Sequence, residues 1–208
     1  MRGSFVSFEG PEGGGKSSVC KAVVDAFDQD ILLVREPGST VLGEKIRTLL
    51  MTEDMPARSE LMLFEAARSC IVDSVIVPAL EAGKTVLCDR FTDSTLAYQG
   101  YGRGINFNHI AIMNDMATNG LTPDLTIVFN IDPVVGMRRK GKATDRIEAA
   151  GIDFHQRVSS GFIEMVERNP GRMVMVDASM PIDAVISAVC GILEARCGWK
   201  RKQKETES

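Results

Sequence analysis

Apolar residues follow two alternating patterns along the chain. Short apolar runs bounded by turn residues favour buried strands, and longer stretches with apolar residues every three or four positions favour amphipathic helices. Strands are predicted at 5–8, 31–34, 85–88, 125–130 and 173–176. Helices are predicted at 17–27, 41–51, 59–82, 108–118, 133–140, 154–168 and 182–196. This alternation predicts an α/β fold, with a five-stranded parallel sheet, helices on both faces, and ligands beyond the carboxyl ends of the strands.

A glycine-rich turn joins the first predicted strand to the first predicted helix. Residues 10–17 form a complete G-x-x-x-x-G-K-S phosphate-binding loop. In such a loop, backbone N–H groups surround phosphate oxygens, the lysine reaches the terminal phosphates and the serine hydroxyl ligates Mg²⁺. A turn that binds nothing is the alternative, but the strand–loop–helix context favours an ATP site. Its predicted members are Gly10, Pro11, Glu12, Gly13, Gly14, Gly15, Lys16, Ser17 and Ser18.

Composition narrows the class of protein. The 208 residues are 44% hydrophobic and carry a net charge of −4, which fits one domain over 1–199 and argues against a generally basic nucleic-acid binder. A charged tail over 200–208 is expected to be disordered. The five cysteines lack the paired spacing of a metal site or redox motif. Because the first strand begins almost at once and no apolar run reaches membrane-spanning length, we expect a cytoplasmic protein without a signal peptide.

Charged residues follow two predicted strands at the edge where ligands are expected. After the third strand, Asp89 can hold the coordination shell of a magnesium ion, and the planar guanidinium of Arg90 suits a phosphate. A local salt bridge between the two is the alternative. After the second strand, the turn Arg35-Glu36-Pro37-Gly38 adds further charged groups at the same edge.

An aromatic residue and an arginine share one face of the long helix predicted at 59–82. Phe64 and Arg68 are four positions apart, so the ring could stack on a nucleobase while the guanidinium donates to a carbonyl at its edge. A core phenylalanine beside a surface arginine is the alternative. The polar and aromatic stretch 92–104, interpreted as a loop, could complete such a site around the base and the sugar.

Five cationic side chains cluster between residues 138 and 146 around a glycine. A solvated surface is one interpretation of such a run. In an enzyme that transfers phosphoryl groups, a mobile basic lid over about 138–147 would close over two polyanions and neutralise the charge on the transferred group.

In this order, these residues resemble the thymidylate kinase family over essentially the whole chain. The resemblance rests on 8–17, 35–40, Phe64 with 66–68, 89–91, 98–100, 123–126, 145–148 and Asp153-Phe154. It implies a P-loop kinase fold and transfer of a phosphoryl group from ATP, with Mg²⁺, to dTMP, giving dTDP and ADP. It also implies a homodimer, with no nucleic-acid or membrane partner.

The family's site residues carry over position by position. Phe64 would stack on thymine, Arg68 would donate to a thymine carbonyl, and Tyr98 would lie against the sugar and disfavour a 2′-hydroxyl. The acceptor site is expected to contain Glu12, Arg35, Glu36, Arg47, Phe64, Arg68, Arg90, Thr95, Tyr98 and Gln99, of which Arg90, Arg47 and Arg35 would hold the monophosphate. The metal site is expected to contain Ser17 and Asp89.

One position departs from part of the family. Some members carry a basic residue inside the P-loop where this chain has Gly13, so the lid is expected to supply the cation that stabilises the transition state. The predicted catalytic cations are Lys16, Arg90, Arg139 and Arg146, with Arg138, Lys140 and Lys142 as alternatives in the lid.

Two other functions remain open on the residues alone. A kinase for another nucleoside monophosphate, such as dUMP, would use the same scaffold, because one methyl group is worth only about 1–3 kcal/mol in an apolar pocket. A P-loop ATPase switch would also need the glycine-rich loop, but it gives no reason for a base site.

Overall fold

The sheet consists of five parallel strands in the order β2-β3-β1-β4-β5. They are β1 (Phe5–Glu9), β2 (Ile31–Arg35), β3 (Thr85–Asp89), β4 (Leu125–Asn130) and β5 (Met173–Asp177). The computed structural model describes residues 2–143 and 145–202 of the chain. The predicted α/β fold with a five-stranded parallel sheet is confirmed.

Four of the strands end in a charged residue at the carboxyl edge of the sheet. Four strands run one residue past their predicted ends, into Glu9, Arg35, Asp89 and Asp177. The sequence pattern stops at the last apolar residue, whereas the backbone ladder does not depend on side-chain polarity. Because Asp89 is in register with both Phe8 and Arg35, the charged strand ends meet at the carboxyl edge.

Helices cover both faces of the sheet. They are α1 (Lys16–Ala26), α2 (Val41–Thr52), α3 (Ala57–Ile71), α4 (Val77–Glu81), α5 (Thr92–Thr95), α6 (Phe107–Thr118), α7 (Pro133–Lys140), α8 (Ile152–Arg168) and α9 (Ile182–Cys197). The single helix predicted at 59–82 is divided into α3 and α4 by a π-helical turn at Val72–Ile76. Pro78 has no N–H to donate, so the regular ladder cannot continue through this point.

The interpretation of 92–104 as a loop is wrong for most of its length. It contains α5 and a π-helical segment at Leu96–Gly102. Two glycines weaken the helical pattern of the sequence, yet both are required by close packing. A Cβ at Gly100 would lie 2.5 Å from the ring of Phe107, and one at Gly102 would lie 2.5 Å from the ring of Phe154.

Apolar side chains fill the space on both sides of the sheet. In one cluster, the rings of Phe8 and Phe129 lie 5.2 Å apart, with Val19 of α1 packed beside them. In the other, the rings of Phe5 and Phe91 lie 4.9 Å apart. Since successive residues of a strand face opposite sides, β1 anchors both clusters and holds the loop that follows it on a rigid base.

The start of the predicted tail is attached to the end of α1. The N–H of Asp28 donates to the carbonyl of Lys200 at 2.9 Å, and the N–H of Lys202 donates to the carbonyl of Ala26 at 2.9 Å. The remainder of the tail predicted to be disordered, 203–208, lies outside the described residues. Within the described ranges, none of the helices is long and apolar enough to cross a bilayer.

The glycine-rich loop packs directly on α7. A Cβ at Gly13 would lie 2.1 Å from the carbonyl oxygen of Gly136, and one at Gly136 would lie 2.3 Å from the carbonyl oxygen of Glu12. Gly13 also has a φ of +76°, which disfavours any side chain. The two backbones can approach this closely only because both positions are glycine.

We expect Gly136→Ala to destabilise the fold by about 1–3 kcal/mol, because the new methyl group overpacks a backbone contact that cannot yield. Urea unfolding followed by circular dichroism measures the effect. Gly191→Ala in α9 is the matched control, since no atom lies within 4 Å of its Cβ position, and it should be neutral or stabilising by up to about 1 kcal/mol. Equal stability of the two variants would contradict the packing described for α7.

Candidate active site

A cavity of about 470 Å³ opens at the carboxyl edge of the sheet. Predicted site residues that line it are Glu12, Gly13, Gly14, Gly15, Lys16, Ser17, Ser18, Arg35, Glu36, Arg47, Phe64, Arg68, Asp89, Arg90, Thr95, Tyr98, Gln99 and Arg139. Predicted residues outside its lining are Gly10, Pro11 and Arg146. The lining also includes Pro37, Met51, Ser94, Lys140, Asp145, Ile147 and Glu148, of which the sequence predicted only Lys140 in a site role, as an alternative lid cation.

The glycine-rich loop holds its lysine tightly. Lys16 Nζ donates to the carbonyl oxygens of Gly10 at 3.0 Å and Pro11 at 2.7 Å. These contacts explain why the two residues matter to the loop although they do not line the cavity. Burial lowers the pKa of Lys16 to about 8, and the nearby charge of Arg90 acts in the same direction. An anion placed in the cavity would favour the charged form of this lysine.

An oxygen pair lies where the loop meets the end of β3. The hydroxyl of Ser17 donates to Asp89 Oδ2 at 2.6 Å. Hydroxyl and carboxylate oxygens are ligands that Mg²⁺ accepts, and this ion usually takes only one or two protein groups besides substrate phosphates and water. The pair therefore fits the expected metal site. The described residues contain no group of three or more acidic, histidine or cysteine side chains arranged to hold a metal ion.

The carboxylate of Glu12 binds two cations and a tyrosine hydroxyl. Its Oε1 accepts from Arg90 Nη2 at 2.5 Å and from the hydroxyl of Tyr98 at 3.2 Å. Its Oε2 accepts from Lys140 Nζ at 3.2 Å. Burial alone would raise the pKa of Glu12, but the charges of Arg90, Lys16 and Lys140 outweigh it and hold that pKa well below its usual range. This carboxylate therefore brings the loop and the end of α7 together.

Arg90 is held in a constrained geometry. Its φ of +73° lies in the left-handed region that a residue with a side chain rarely adopts. Nη1 donates to Gly10 O at 3.0 Å and to Ser94 Oγ at 3.2 Å, and the guanidinium lies 5.0 Å from the centre of the Tyr98 ring. The sequence did not assign Ser94, although its position four residues after Arg90 placed it within reach.

The buried carboxylate of Glu9 stabilises the turn that follows Arg90. Glu9 Oε1 accepts from the N–H of Phe91 at 2.7 Å, and Oε2 accepts from the hydroxyl of Ser94 at 2.5 Å. Burial raises the pKa of Glu9 to about 8, and the charge of Asp93 adds to that rise. Glu9 thus fixes the backbone immediately after Arg90 and the serine that Arg90 contacts.

Arg68 is almost fully buried at the far wall of the cavity. Its acceptors are Glu36 Oε2, Glu65 Oε1, Thr95 Oγ1 and Asn114 Oδ1, each at 2.8 Å, and the carbonyl oxygen of Phe91 at 3.1 Å. Burial raises the pKa of Glu36 to about 7 despite the opposing charge of Arg68. Arg68 is therefore not the surface arginine of the alternative interpretation but a buried residue, anchored by two acidic side chains.

The remaining residues predicted for the acceptor site differ in how firmly they are held. Phe64 packs with Met51 in an apolar cluster on the cavity wall. Arg47 Nη1 donates to the carbonyl of Pro37 at 3.1 Å. Arg35 pairs with Glu44 at 3.0 Å on a half-exposed surface, so it is the least constrained of the predicted phosphate ligands.

The cations of the predicted lid point in different directions. Arg139 donates to the carbonyl oxygens of Ala178 and Ser179 at 2.6 Å each. Lys140, in contrast, bonds Glu12 and Glu148 at the cavity. The guanidinium of Arg146 donates to Glu60 Oε2 at 2.6 Å and to a backbone carbonyl of α2, away from the cavity. Thr144, within the predicted lid, lies outside the described residues.

Sequence comparison gives a consistent family. A family model described as Thymidylate kinase matches residues 8–189. A protein named thymidylate kinase from Lactobacillus helveticus is 44% identical, covering 94% of this chain and 98% of its own. Proteins of the same name from Enterococcus faecalis and Desulfovibrio desulfuricans are each 43% identical, covering 90% and 92% of this chain and 94% and 95% of their own.

Proposed function

The chain belongs to the thymidylate kinase family, and we propose how its residues divide the family's reaction, the transfer of a phosphoryl group from ATP to dTMP to give dTDP. The triphosphate of ATP lies along loop 10–18, and the dTMP phosphate lies near Arg90. The proposal is carried by one observation. A complete phosphate loop and a wall with an aromatic ring and a buried arginine share one cavity.

The reaction depends on the positioning of the two substrates more than on acid–base catalysis. An ionised phosphate oxygen of dTMP attacks the γ-phosphorus of ATP, the new P–O bond forms, and the bond to the β-phosphate oxygen breaks to leave ADP. Because the attacking oxygen is already charged, no general base is required. His109 is exposed and His155 is buried against the backbone of Glu148, and neither lines the cavity.

Three cations neutralise the charge that the two substrates bring together. Lys16 meets the phosphates of ATP, Arg90 meets the phosphate of dTMP, and Lys140 reaches the region between them from α7. Lys140 is preferred to Arg146 because it lines the cavity, whereas the guanidinium of Arg146 is bonded to Glu60 outside it. Arg139 lines the cavity as well and lies closer to the loop after β5.

Mg²⁺ would be held by Ser17 and Asp89 together with ATP. The support for this assignment is the oxygen pair at 2.6 Å beside the loop. When bound, the ion polarises phosphate oxygens and offsets their negative charge.

The base and sugar of dTMP would occupy the wall opposite the loop. Phe64 stacks on the pyrimidine, while Arg68, Thr95 and Gln99 contact its edge. Tyr98 is buried among aromatic rings with its hydroxyl on Glu12, so it is rigid enough to exclude a 2′-hydroxyl from the sugar. The relatives do not favour an ATPase switch, and neither do Phe64 and the buried Arg68 on the cavity wall, since a switch would need no base site.

The decisive experiment offers ATP and a panel of nucleoside monophosphates to the purified protein. We expect dTMP to be among the best acceptors by kcat/KM, and activity to be lost when Mg²⁺ is chelated and restored when it is added back. ATP hydrolysis should be slow without an acceptor. Turnover of ATP at the full rate without any monophosphate would overturn the proposal.

Replacement of the lid lysine tests its catalytic role. We expect Lys140→Met to lower kcat by roughly 10²–10³-fold, the scale on which loss of one transition-state donor acts, with a much smaller change in the KM of either substrate. Arg138→Met removes the same charge from an exposed residue two positions earlier, outside the cavity lining, and should retain most of the activity. If the two variants behave alike, the effect is one of general charge and the assignment of Lys140 fails.

We further propose that the chain forms a homodimer through α3 and α6. Met62, Ile112 and Met116 are 60%, 67% and 86% exposed on these two packed helices, which leaves an apolar surface typical of a subunit interface. Met116→Glu should shift the sedimentation coefficient from that of a dimer to that of a monomer. Met180→Glu, in the turn after β5 and also exposed, should not. A monomeric wild-type protein would refute the proposal.

A cytoplasmic location is supported by the cysteines. All five are free thiols, which is the usual state in a reducing compartment.

A further inference from the structure

A buried carboxylate on α3 joins three parts of the molecule just behind the cavity wall. Glu60 is 1% exposed and does not line the cavity. Its Oε1 accepts from Gln99 Nε2 at 2.8 Å and from Arg103 Nε at 3.1 Å. Its Oε2 accepts from Arg103 Nη2 at 3.0 Å and from Arg146 Nη1 at 2.6 Å. Neither the sequence pattern nor the family comparison assigned a role to this residue.

Glu60 remains ionised in this environment. Burial alone would raise its pKa, but hydrogen bonds from Arg103, Gln99 and Arg146 outweigh burial and lower that pKa below its usual range. An ionised carboxylate has no hydrogen to donate. Every group that faces it must therefore be a donor.

This requirement fixes the orientation of the Gln99 side chain. An amide presents an oxygen at one end and an NH₂ group at the other, and only the NH₂ group can bond to Glu60. Gln99 is 2% exposed and lines the cavity. Its oxygen accepts no hydrogen bond from any residue within 2–143 and 145–202, and it is not among the fully buried polar atoms that lack a partner. The oxygen is therefore open to the cavity.

Two arginines keep Glu60 from turning. Arg103 grips both carboxylate oxygens from one side, and its guanidinium lies 4.5 Å from the centre of the Phe154 ring. Arg146 holds Oε2 from the other side while it also donates to the carbonyl of Leu50 at 3.2 Å. A planar fork of this kind restricts the carboxylate to one orientation.

We propose that Glu60 is a positioning residue for base selectivity, because it turns the acceptor oxygen of Gln99 toward the base. The inference rests on the proposed function, which places a pyrimidine against this wall. Thymine and uracil carry a hydrogen on ring nitrogen N3 and can donate it to this oxygen. The N3 of cytosine carries no hydrogen at neutral pH, so it would face the oxygen with lone pair against lone pair. Glu60 thus selects a base with a ring N–H, through a residue that it holds rather than by contact with the substrate.

The test compares dTMP and dCMP binding by titration calorimetry in wild type, Glu60→Gln, Gln99→Met and the double variant. A glutamine at position 60 can offer an NH₂ group, which lets the Gln99 amide reverse. We expect Glu60→Gln to reduce the preference for dTMP by at least about tenfold, on the scale set by a lost hydrogen bond in a specific site. Affinity for ATP should change less than twofold.

The double variant separates positioning from a general loss of structure. If Glu60 acts through Gln99, Glu60→Gln should change the preference by less than about twofold once Gln99 is methionine. Glu81→Gln, an exposed carboxylate on α4, is the control for removal of a charge and should match wild type. An unchanged preference in Glu60→Gln, or the same tenfold change in the Gln99→Met background, would overturn the proposal.

A measurement on the wild-type protein covers the case in which Glu60→Gln does not fold. The side-chain NH₂ signals of Gln99, assigned by their absence in Gln99→Met, should exchange with solvent slowly and remain protected when dTMP binds. Exchange at the rate of a free amide would refute the bond to Glu60. If the wild-type protein fails to phosphorylate dTMP, the proposed function fails. If it succeeds while the preference survives in Glu60→Gln, only the role of Glu60 fails.

Discussion

The contact between two glycines, Gly13 in the phosphate loop and Gly136 in α7, constrains the rest of the site. No side chain fits at either position, because each Cβ would lie within 2.3 Å of a backbone oxygen. The contact explains in physical terms why this loop carries no basic side chain at position 13. It also brings α7 so close that Lys140, one turn after Gly136, reaches Glu12. The same helix that leaves no room for a basic side chain at position 13 thus supplies a cation, Lys140, to the site.

The positive charge of the site is organised by carboxylates, of which Glu36, Glu60 and Glu65 are buried and Glu12 is half-buried. Glu12 holds Arg90 and Lys140, Glu36 and Glu65 hold Arg68, and Glu60 holds Arg146. Ion pairs to the buried carboxylates add little net stability, but they are costly to break, so Arg68 and Arg146 are held in one orientation before any substrate arrives. The negative net charge of the chain is therefore compatible with two polyanionic substrates. Lys16 differs from these cations, because its Nζ bonds to loop carbonyls rather than to a carboxylate.

The sequence predicted the sheet, the position of most helices and the edge at which the site lies. Periodicity of apolar residues carries that information, since buried strands and amphipathic helices differ in their repeat. The helical segment after Arg90 was missed because Gly100 and Gly102 weaken the pattern, although aromatic rings packed against them are what require glycine. The periodicity of apolar residues predicts which face of a helix or strand is buried. It does not predict which residues of other elements pack against that face.

The same limit explains which site residues the sequence could not resolve. Arg146 and Lys140 are equally basic members of one run, and only their partners distinguish them. Arg146 pairs with Glu60, 86 positions away, whereas Lys140 pairs with Glu148 nearby in the sequence and with Glu12, 128 positions away. Arg68 presents the related problem for mutagenesis, because its removal would leave Glu36 and Glu65 buried without their cation. Loss of dTMP binding in such a variant would not distinguish loss of the proposed base contact from a disturbed cavity wall. The role of a buried arginine is therefore better approached through the residues it orients than through its deletion.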